Sequence, residues 1–502
     1  MPRHRTILLW FVFLLLSYHP ATAQQYDKVW ALGSSVTTMA FDGDSIVLGY
    51  LQDSTTLSFN TIGSMCDSSG SFLFYSNGLA VYNRYGHIMP NGDSLSFPSE
   101  YYSLVEPQGM PGRQEVVILP KPEDTNLYYI FHYTPTDTLD PLGGYEALNL
   151  YYSIVDMRLD SGKGAVTQKN VPIIQNELLS ASRLAACKHA NGRDWWIVKP
   201  AWHENIYYTF LLTPDSLEGP FIQQVGPVYG ADNELPAYSC FSPDGSKYVS
   251  VTTYSDVVLM DFDRCTGLFS NPDSFYNNDS SIPLTDPNSG AVSLAFSLSG
   301  RFLYVDNPVE LNQYDLWSAQ IHDSIRIETD TNEFYQMNIL QLALNGKIYV
   351  SCWDGGSYAI HVINQPDSLG LACDFQLLSQ PLLSANDQAL PYFPNFRLGA
   401  LTGSGCDTIN GIGPQTVEGD GASVSPNPAS SVFTVAFSNP NDIETYKDLH
   451  FTLYDLTGRL VMDEPLRERS TLLHRRDQMD GMYLWHISAG DKNLYNGKLV
   501  LR

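Results

Sequence analysis

The sequence of 502 residues has few charged side chains, and positive charge is the scarcer kind. Charged residues make up 16% of the chain, whereas an average soluble domain has about a quarter. The 28 Lys and Arg residues stand against 54 Asp and Glu residues, which gives a formal net charge of -26. Because this charge repels phosphate backbones and anionic lipid surfaces, we expect no nucleic-acid partner.

Long hydrophobic runs are absent after the N-terminal region, so we expect no membrane span in the rest of the chain. Residues 1–23 contain Arg3 and Arg5, an apolar run from Ile7 to Leu16, and the small-residue end Ala21-Thr22-Ala23. These are the three parts of a secretory signal peptide. The alternative, a membrane anchor, would need about twenty apolar residues. The mature protein is therefore expected to begin near Gln24 and to lie outside the cytoplasm.

Sequence motifs of common enzymes are also absent. There is no G-x-S-x-G elbow, no P-loop and no dinucleotide-binding G-x-G-x-x-G. His203-Glu204 is followed by Asn205-Ile206-Tyr207, so an H-E-x-x-H zinc motif is not formed. We therefore predict a protein that is not an enzyme and that has no cofactor. The alternative is a secreted, glycosidase-like hydrolase with its site on the face of a β-propeller. Its carboxylates would come from several loops, and such a site leaves no local motif in the sequence.

Cysteine is present, but not in a metal-binding pattern. The exported part holds seven cysteines without any C-x-x-C pair, which gives no support to a zinc site or a thioredoxin-like motif. Disulfides persist outside the cytoplasm. The pairs most easily imagined are Cys240 with Cys265 and Cys352 with Cys373, each closing a loop of about 20 to 25 residues worth about 3 kcal/mol. The alternative is that these cysteines are buried thiols.

Turns and aromatic residues are abundant, with 37 Gly, 30 Pro and 12% aromatic residues. A small polar residue and Gly repeatedly precede a short strand of aromatic and β-branched residues, a pattern typical of hairpins. The repeat spacing of 46 to 66 residues is typical of four-stranded propeller blades with variable loops. The turn positions, the second of which has Asn in place of Gly, are Gly70, Asn126, Gly192, Gly245, Gly300 and Gly346.

We therefore predict an all-β fold in which residues 24–400 form a β-propeller, with seven as the preferred number of blades. Radial stacking would bury both faces of strands that are apolar at nearly every position. The stretches from Val29 to Asn60 and from Cys373 to Leu398 could together complete the seventh blade. A β-sandwich array is the alternative, because the period alone does not distinguish the two folds.

Five phrases of this region have counterparts in a known group of proteins. They are GSFLFYSNG from Gly70, MPNG from Met89, FSPDG from Phe241, DFDRCTG from Asp261 and LPYFPNF from Leu390. Together they resemble exported WD-like β-propeller proteins of Bacteroidota, over roughly residues 28–400. The resemblance implies a propeller at the cell surface, but the group has no single activity that could be carried over.

The C-terminal part changes in composition. Residues 401–422 are rich in Gly, Ser, Thr and Asp, which predicts a linker. Beyond the linker, short apolar strands about ten to twenty residues apart are typical of a small Ig-like antiparallel β-sandwich over residues 423–502. Residues 421–502 hold 9 basic and 10 acidic side chains, whereas residues 24–420 hold 17 and 44. The acidity therefore belongs to the predicted propeller.

Four motifs follow one another in this last domain: SPNP from Ser425, LYDLTGRLV from Leu453, DGMYL from Asp480 and KLVLR from Lys498. They resemble a type IX secretion C-terminal sorting domain, type A. The resemblance implies passage through the periplasm to the outer-membrane cell surface or the medium. It also implies two partners, the translocon and the machinery that processes the sorting domain. The alternative is an Ig-like adhesion module. The residues marked by the motifs are Pro426, Asn427, Pro428, Tyr454, Asp455, Gly458, Gly481, Tyr483 and Lys498.

Two groups of residues are candidates for ligand binding in the predicted propeller. Trp195, Trp196 and Trp202 could stack a sugar, or they could be packed in the core of a blade. The carboxylate pairs Asp42 with Asp44 and Asp261 with Asp263 could hold Ca²⁺, or they could be solvated turn residues. The predicted function is a surface binding or scaffolding module whose ligand is a glycan or a protein.

Overall fold

A computed structural model describes most of the chain outside its first 23 residues. The described residues are 24–32, 37–51, 61–95, 109–110, 112–135, 146–228, 238–252, 256–277, 291–329, 336–353, 356–386, 388–406, 422–425, 429–437, 446, 449–455, 459–476, 478–479, 481–489 and 492–501. The predicted signal peptide lies outside them. The chain divides into two compact units, residues 1–409 and 410–502.

The first unit contains seven antiparallel sheets, counted over the described residues. The first two sheets have three strands each, and the other five have four. The strands of sheets one to three are β1 (Val29–Leu32), β2 (Thr37–Asp42), β3 (Ser45–Tyr50), β4 (Gly63–Cys66), β5 (Phe72–Ser76), β6 (Val81–Asn83), β7 (Val116–Lys121), β8 (Asp124–Pro135), β9 (Glu146–Asp156) and β10 (Ala165–Ser180).

The remaining four sheets of this unit each use four consecutive strands. Within the described residues, two short 3₁₀ turns, Asp160–Gly162 and Gly370–Cys373, connect outer strands. The strands of sheets four to seven are β11 (Ala185–Lys188), β12 (Trp195–Pro200), β13 (Ile206–Leu212), β14 (Leu217–Gln224), β15 (Ser239–Phe241), β16 (Lys247–Val251), β17 (Asp256–Asp263), β18 (Leu268–Tyr276), β19 (Leu294–Phe296), β20 (Phe302–Asp306), β21 (Glu310–Asp315), β22 (Ser324–Thr329), β23 (Met337–Leu342), β24 (Ile348–Cys352), β25 (Ser357–Ile363) and β26 (Phe375–Asn386).

The repeated turns of the sequence are placed as predicted. The strands that follow them are β5, β8, β12, β16, β20 and β24, and each is the second strand of its sheet. All five turn glycines have positive φ, which ranges from 71° at Gly192 to 91° at Gly70. The sixth turn differs from the prediction, because β8 already begins at Asp124. There Glu123, with φ 64°, takes the left-handed conformation expected of Asn126.

The seven sheets form a closed β-propeller. Their innermost strands contact one another in chain order, as for β1 with β4, β11 with β15 and β19 with β23. The ring closes where β26 of the seventh sheet contacts β3 of the first, and where the Trp30 and Tyr349 rings lie 5.7 Å apart. The predicted joint blade is wrong in one respect. Strands β1, β2 and β3 form their own sheet, while β26 pairs with β25 in the seventh sheet.

Burial follows the position of a strand within its sheet. Every residue of the innermost strand β11 and of its neighbour β12 is buried, because adjacent sheets cover both faces. The outer strands β14 and β18 alternate or are largely exposed. This gradient explains why the second strands are rich in β-branched and aromatic residues and gave the clearest repeat.

An extended segment of the chain fills the central channel of the ring. Residues 388–398, which we call the channel segment, run along the channel without joining a sheet ladder. The Tyr392 hydroxyl lies 3.4 Å from the Ala186 backbone nitrogen of the fourth sheet, and the Phe393 N–H donates to Gln341 of the seventh. The Phe396 ring is 1% exposed and lies 5.6 Å from the Trp195 ring. The channel is therefore closed by the protein itself.

The two ends of the ring differ. The tight turns that carry Gly192, Gly245, Gly300 and Gly346 lie at one end, which we call the turn end. There the backbone of residues 399–400 approaches Gly192 so closely that a Cβ atom would lie 2.4 Å from a backbone nitrogen. The opposite end, where the innermost strands begin, is called the loop end.

At the turn end the chain is fixed by a disulfide between Cys265 and Cys406, 141 residues apart in sequence. The predicted pairs are therefore wrong. Cys240 and Cys373 are outside any disulfide of the described residues, and the Cys352 sulfur lies 3.3 Å from His361 Nε2. The predicted pairs were chosen because closing a short loop costs little chain entropy. In the structure, the channel segment instead brings the distant Cys406 to Cys265, in the turn after β17.

Residues 401–406, the first part of the predicted linker, lie on the ring. The Leu401 N–H donates to the Ala190 carbonyl at 2.8 Å, and the Arg264 guanidinium donates to the Gly399 carbonyl at 2.6 Å. The remaining predicted linker, residues 407–421, lies outside the described residues.

The second unit is a two-sheet antiparallel sandwich, as predicted. One sheet has the order β27-β28-β31 and the other β30-β29-β32-β33. Phe433, Phe451, Ile487 and Leu499, each 0% exposed, are part of the core between them. The strands are β27 (Ala422–Ser425), β28 (Val432–Phe437), β29 (Leu449–Tyr454), β30 (Leu460–Pro465), β31 (Ser470–His474), β32 (Gly481–Ala489) and β33 (Lys492–Leu501).

Candidate functional site: the sorting motifs and the loop end of the propeller

The described residues of the C-terminal motifs meet at one end of the four-stranded sheet. Tyr454 pairs with Leu484 across β29 and β32, and Leu484 pairs with Lys498 across β32 and β33. Gly481 and Tyr483 belong to the start of the same strand β32. Three segments far apart in sequence thus contribute to one row of the sheet. Pro426, Asn427, Pro428 and Gly458 lie outside the described residues.

Several motif residues have clear local roles. The Asp455 carboxylate accepts hydrogen bonds from the backbone and the guanidinium of Arg459, both at 3.0 Å, and so closes the turn after β29. The Tyr483 hydroxyl donates to the Met479 carbonyl at 2.8 Å. Gly481 has φ 155°, a backbone conformation that favours glycine. These residues shape the end of the sheet as well as marking it in sequence.

The loop end of the propeller carries a second group of polar residues. Arg113, just before β7, donates through Nε and Nη2 to Asn338 Oδ1 at 3.1 and 2.9 Å. Gln114 donates to the Ser239 carbonyl at 2.6 Å and accepts from the Ser239 N–H at 2.8 Å. These bonds link the third sheet to the seventh and the fifth. Residues 113–114 therefore form a strap across the mouth of the channel.

Next to the strap, Glu115 and Lys199 form a buried pair of ionisable groups. Burial raises the pKa of Glu115 to about 8, against the lowering effects of the Gly112 backbone and of Lys199. Burial also holds the pKa of Lys199 well below its usual range. The Lys199 Nζ group donates to the Ser182 carbonyl at 2.7 Å and lies 3.6 Å from the centre of the Tyr133 ring. Burial thus favours the uncharged form of each group.

Asp306 is a second carboxylate with a raised pKa, again because of burial, although the Ser293 N–H and Arg113 oppose the shift. Its Oδ1 atom accepts the Ser293 N–H at 2.7 Å. Its Oδ2 atom has no hydrogen-bond partner in the described structure. A buried polar atom in this condition costs about 1 to 3 kcal/mol unless water or a ligand satisfies it.

Other buried polar atoms of the loop end share this condition. Among the described residues, hydrogen-bond partners are lacking for Asn307 Nδ2, both amide atoms of Asn386, Gln388 Oε1 and Thr252 Oγ1. The backbone is strained at the same place. Gln114, Arg183 and Gln388 have φ of 51°, 60° and 79°, although none is glycine. Such conformations cost about 1 to 3 kcal/mol each and are concentrated at functional sites in proteins.

One large aromatic side chain is exposed beside this group. The Trp353 side chain is 39% exposed, and the Arg113 guanidinium lies 5.0 Å from the centre of its ring. The Trp353 carbonyl accepts a hydrogen bond from Gln388 at 3.3 Å. The loop end thus combines an indole surface, a buried cation and amide groups, which together can bind a polar ligand.

The tryptophans singled out from the sequence are buried. Trp195, Trp196 and Trp202 are only 1%, 4% and 6% exposed. As consecutive residues of β12, Trp195 and Trp196 point to opposite faces: one ring packs on Phe396, and the other donates to the Arg264 carbonyl at 2.8 Å. This arrangement corresponds to the core-packing alternative.

The carboxylate pairs weighed as calcium ligands lie at the ends of strands β2 and β17 and in the turn after β2. Asp261 contacts Lys247 and accepts from Asn271 at 2.7 Å. Asp263 accepts from Cys265 N–H and from the Thr266 hydroxyl, both at 2.8 Å. Asp42, the last residue of β2, and Asp44, in the turn between β2 and β3, are both exposed. Among the described residues, no group of three or more His, Cys, Asp or Glu is arranged to hold a metal ion.

Sequence reasoning missed the loop-end group, because its members are up to 275 residues apart, from Arg113 to Gln388, and form no local motif. One signal was available. Lys199 and Asp306 each lie at or near the end of an otherwise apolar second strand, where a charged residue is unexpected.

A family comparison identifies the second unit. Residues 423–502 match the family model of the secretion system C-terminal sorting domain. This match confirms the resemblance drawn from the four motifs. None of the curated proteins matches the chain.

Several solved structures are similar to the chain in fold. A Lactobacillus plantarum protein is 13% identical, with a TM-score of 0.43, over 73% of this chain and 98% of that one. The periplasmic gluconolactonase PpgL of Pseudomonas aeruginosa is 13% identical, with a TM-score of 0.40, over 74% and 96%. PorZ, a surface component of the type IX secretion system of Porphyromonas gingivalis, is 12% identical, with a TM-score of 0.30, over 95% and 75%. These likenesses concern the fold alone.

The protein is therefore an exported β-propeller protein. Its C-terminal unit is a type IX sorting domain, which directs it to the cell surface or the medium and makes the secretion machinery its partner. No helix within the described ranges is both long and apolar enough to cross a membrane.

Proposed function

We propose that the propeller is a binding module that the sorting domain delivers to the cell surface, and that its ligand binds at the loop end. The observation that carries this proposal is the group of buried polar atoms without partners around the mouth of a closed channel. Because the channel segment closes the passage, the ligand is held at the mouth and does not pass through. Strained backbone at Gln114, Arg183 and Gln388 supports the same location.

The ligand is a glycan or a protein segment rich in hydrogen-bonding groups. The exposed Trp353 ring provides an apolar surface of the kind that sugars and aromatic residues stack on. The amide side chains of Asn386 and Gln388 are 1% and 5% exposed, so they donate to and accept from the ligand only after they turn toward the mouth. A screen of the purified mature chain against polysaccharide and peptide arrays would identify the class by retention.

A matched pair of variants tests the location of the site. Trp353→Ala should weaken binding of the retained ligand at least tenfold. Trp317→Ala is the control, because Trp317 is 69% exposed in the connection between β21 and β22 at the turn end. Equal binding by both variants would place the site elsewhere.

A hydrolase is the second candidate, and one observation favours it. The raised pKa of Glu115 keeps this carboxyl protonated near neutral pH, as a general acid requires. Against it, Glu115 and Asp306 are both 0% exposed, so neither reaches a substrate as the side chains now stand. The same screen decides the question, since turnover that Glu115→Gln abolishes would establish the enzyme.

We also propose a division of the export signals. The signal peptide at residues 1–23 directs passage into the periplasm, and the translocon then recognises the end of the sandwich formed by Tyr454, Gly481, Tyr483 and Lys498. The processing machinery removes residues 423–502 after the linker. The meeting of three motif segments in one row of the sheet supports this assignment.

A further inference from the structure

A pocket lies at the turn end of the propeller, apart from the loop-end site. Its volume is about 260 Å³. It is formed by the turn between β7 and β8, the turn between β11 and β12, and residues 24–26, which precede β1. A cavity of about 150 Å³ already accommodates a benzene-sized molecule, so this pocket has room for a small ring and a charged substituent.

Two lysines that line this pocket have no carboxylate partner among the described residues. Lys121 is partly exposed, and its ammonium group makes neither a salt bridge nor a hydrogen bond within the described ranges. Lys188 Nζ donates to Gln24 Oε1 at 3.0 Å and to the Gly192 carbonyl at 3.1 Å, and both acceptors are uncharged. In a chain with 54 acidic and 28 basic side chains, two such lysines in one pocket are unexpected.

The surroundings of Lys188 favour an anion beside it. Burial lowers the pKa of Lys188 to about 8, and the charge of Arg264 acts in the same direction, while Asp194 opposes the shift. The group is therefore still mostly charged at pH 7, where a nearby anion would stabilise its charge. Lys188 is 5% exposed, so it acts on a ligand chiefly through this charge, and the direct contact is left to Lys121.

The other charged residues that line the pocket, Arg193 and Glu123, are paired. Arg193 donates to the two carboxylate oxygens of Asp194 at 2.8 and 3.1 Å, and its Nη1 atom donates to Glu123 at 2.6 Å. The planar guanidinium fork that would bind a carboxylate is therefore occupied. The charge that remains belongs to lysine ammonium groups, which are compact point charges and suit the tetrahedral oxygens of a phosphate.

We propose that this pocket binds phosphate, either as the free ion or as the monoester of a small molecule. Lys121 donates to a phosphate oxygen, and Lys188 stabilises the negative charge from the wall. A phosphomonoester carries about -1.5 to -2 charges at pH 7, which matches the two lysine charges. The net charge of -26 opposes the approach of an anion, but it is screened beyond about 8 Å at physiological ionic strength. This site is independent of the ligand proposed for the loop end.

Calorimetry on the full mature chain tests the proposal with inorganic phosphate, glucose 6-phosphate and glucuronate. We expect one phosphate-bearing probe to bind per chain, and glucuronate, with a planar and singly charged carboxylate, to bind at least tenfold more weakly. Tighter binding of glucose 6-phosphate than of inorganic phosphate would identify the monoester as the ligand, and the reverse order would identify the free ion. Equal affinity for glucuronate, or no saturable binding of either phosphate probe at millimolar concentrations, would overturn the proposal.

Variants with opposite expected effects locate the binding. Lys121→Gln should weaken phosphate binding at least tenfold, because a hydrogen bond to a charged group contributes about 1.5 to 3 kcal/mol. Lys163→Gln is the matched control, since it removes the same charge from a lysine that is paired with Asp160 outside the pocket. Glu123→Gln should tighten binding at least twofold, because it removes a carboxylate that is 59% exposed beside the bound anion. Equal effects of the two lysine substitutions, or weaker binding by Glu123→Gln, would contradict the assignment.

Discussion

Replacement of Phe396 by alanine tests whether the channel segment holds the ring together. The Phe396 ring lies 5.3 Å from the Tyr26 ring, 5.6 Å from the Trp195 ring and 6.3 Å from the Phe393 ring. Truncation of a buried phenylalanine costs about 3 to 5 kcal/mol, of which each ring pair supplies about 0.5 to 1.5 kcal/mol. We therefore expect Phe396→Ala to lower the free energy of unfolding of the propeller by about 4 kcal/mol.

Urea unfolding of the mature chain, followed by tryptophan fluorescence, measures this change. At about 2.1 cal/mol/K per residue, the propeller of about 380 residues has an unfolding entropy of about 0.8 kcal/mol/K, so a change of about 4 kcal/mol shifts Tm by about 5 °C. Leu371→Ala is the control, because this side chain is 76% exposed and should change stability by less than about 0.5 kcal/mol. A loss below about 1 kcal/mol in Phe396→Ala would show that the segment contributes little to the packing of the ring.

Three further predictions concern other parts of the chain. The pKa of Glu115 is raised from 4.5 to about 8, so the wild type loses stability as the pH rises between these values. The free energy of unfolding of Glu115→Gln, relative to the wild type, should therefore increase by up to about 1.4 kcal/mol per pH unit from pH 5 to 8. Lys199 has the opposite slope in both proteins, because burial is the main cause of its lowered pKa. A pH-independent difference in urea unfolding would contradict the reasoning. Non-reducing peptide mapping should link Cys265 with Cys406, and Cys406→Ser should lower stability by about 3 to 5 kcal/mol; recovery of both thiols unlinked would refute the bond. Removal of residues 498–502 deletes two core residues of the sandwich, so cell fractionation should find the protein retained in the periplasm, and export at the full-length level would refute the sorting role.

Local patterns predicted the blades because each turn and its following strand lie within about ten residues. Gly245 needs its left-handed backbone for a turn that stands directly before β16, and both features can be read together. The channel segment has no such pattern. Pro391 and Pro394 lack the N–H that a β-ladder requires, so residues 390–396 are predicted as neither strand nor helix. The position of this segment depends on its packing against the sheets of the ring.

The same difference explains the errors in the sites. The Cys265–Cys406 bond depends on where the channel segment ends, which no local spacing encodes. Arg113 and Asn338 meet across the mouth of the ring, 225 residues apart, only because seven sheets close in a circle. The sorting motifs were found because they are contiguous in sequence, whereas their common row in the sheet required the structure.

The attachment of Cys406 to Cys265 has a mechanical consequence. A protein displayed at a surface is pulled through the chain that leaves its body, and here that chain leaves the described ring at Cys406. Tension applied beyond this residue enters the turn between β17 and β18 through a covalent bond. Residues 388–405 form a second path in parallel with this bond, so the hydrogen bonds and ring contacts that keep the channel closed carry only part of the load. The propeller can thus be stretched at its exit point without the channel segment being drawn out.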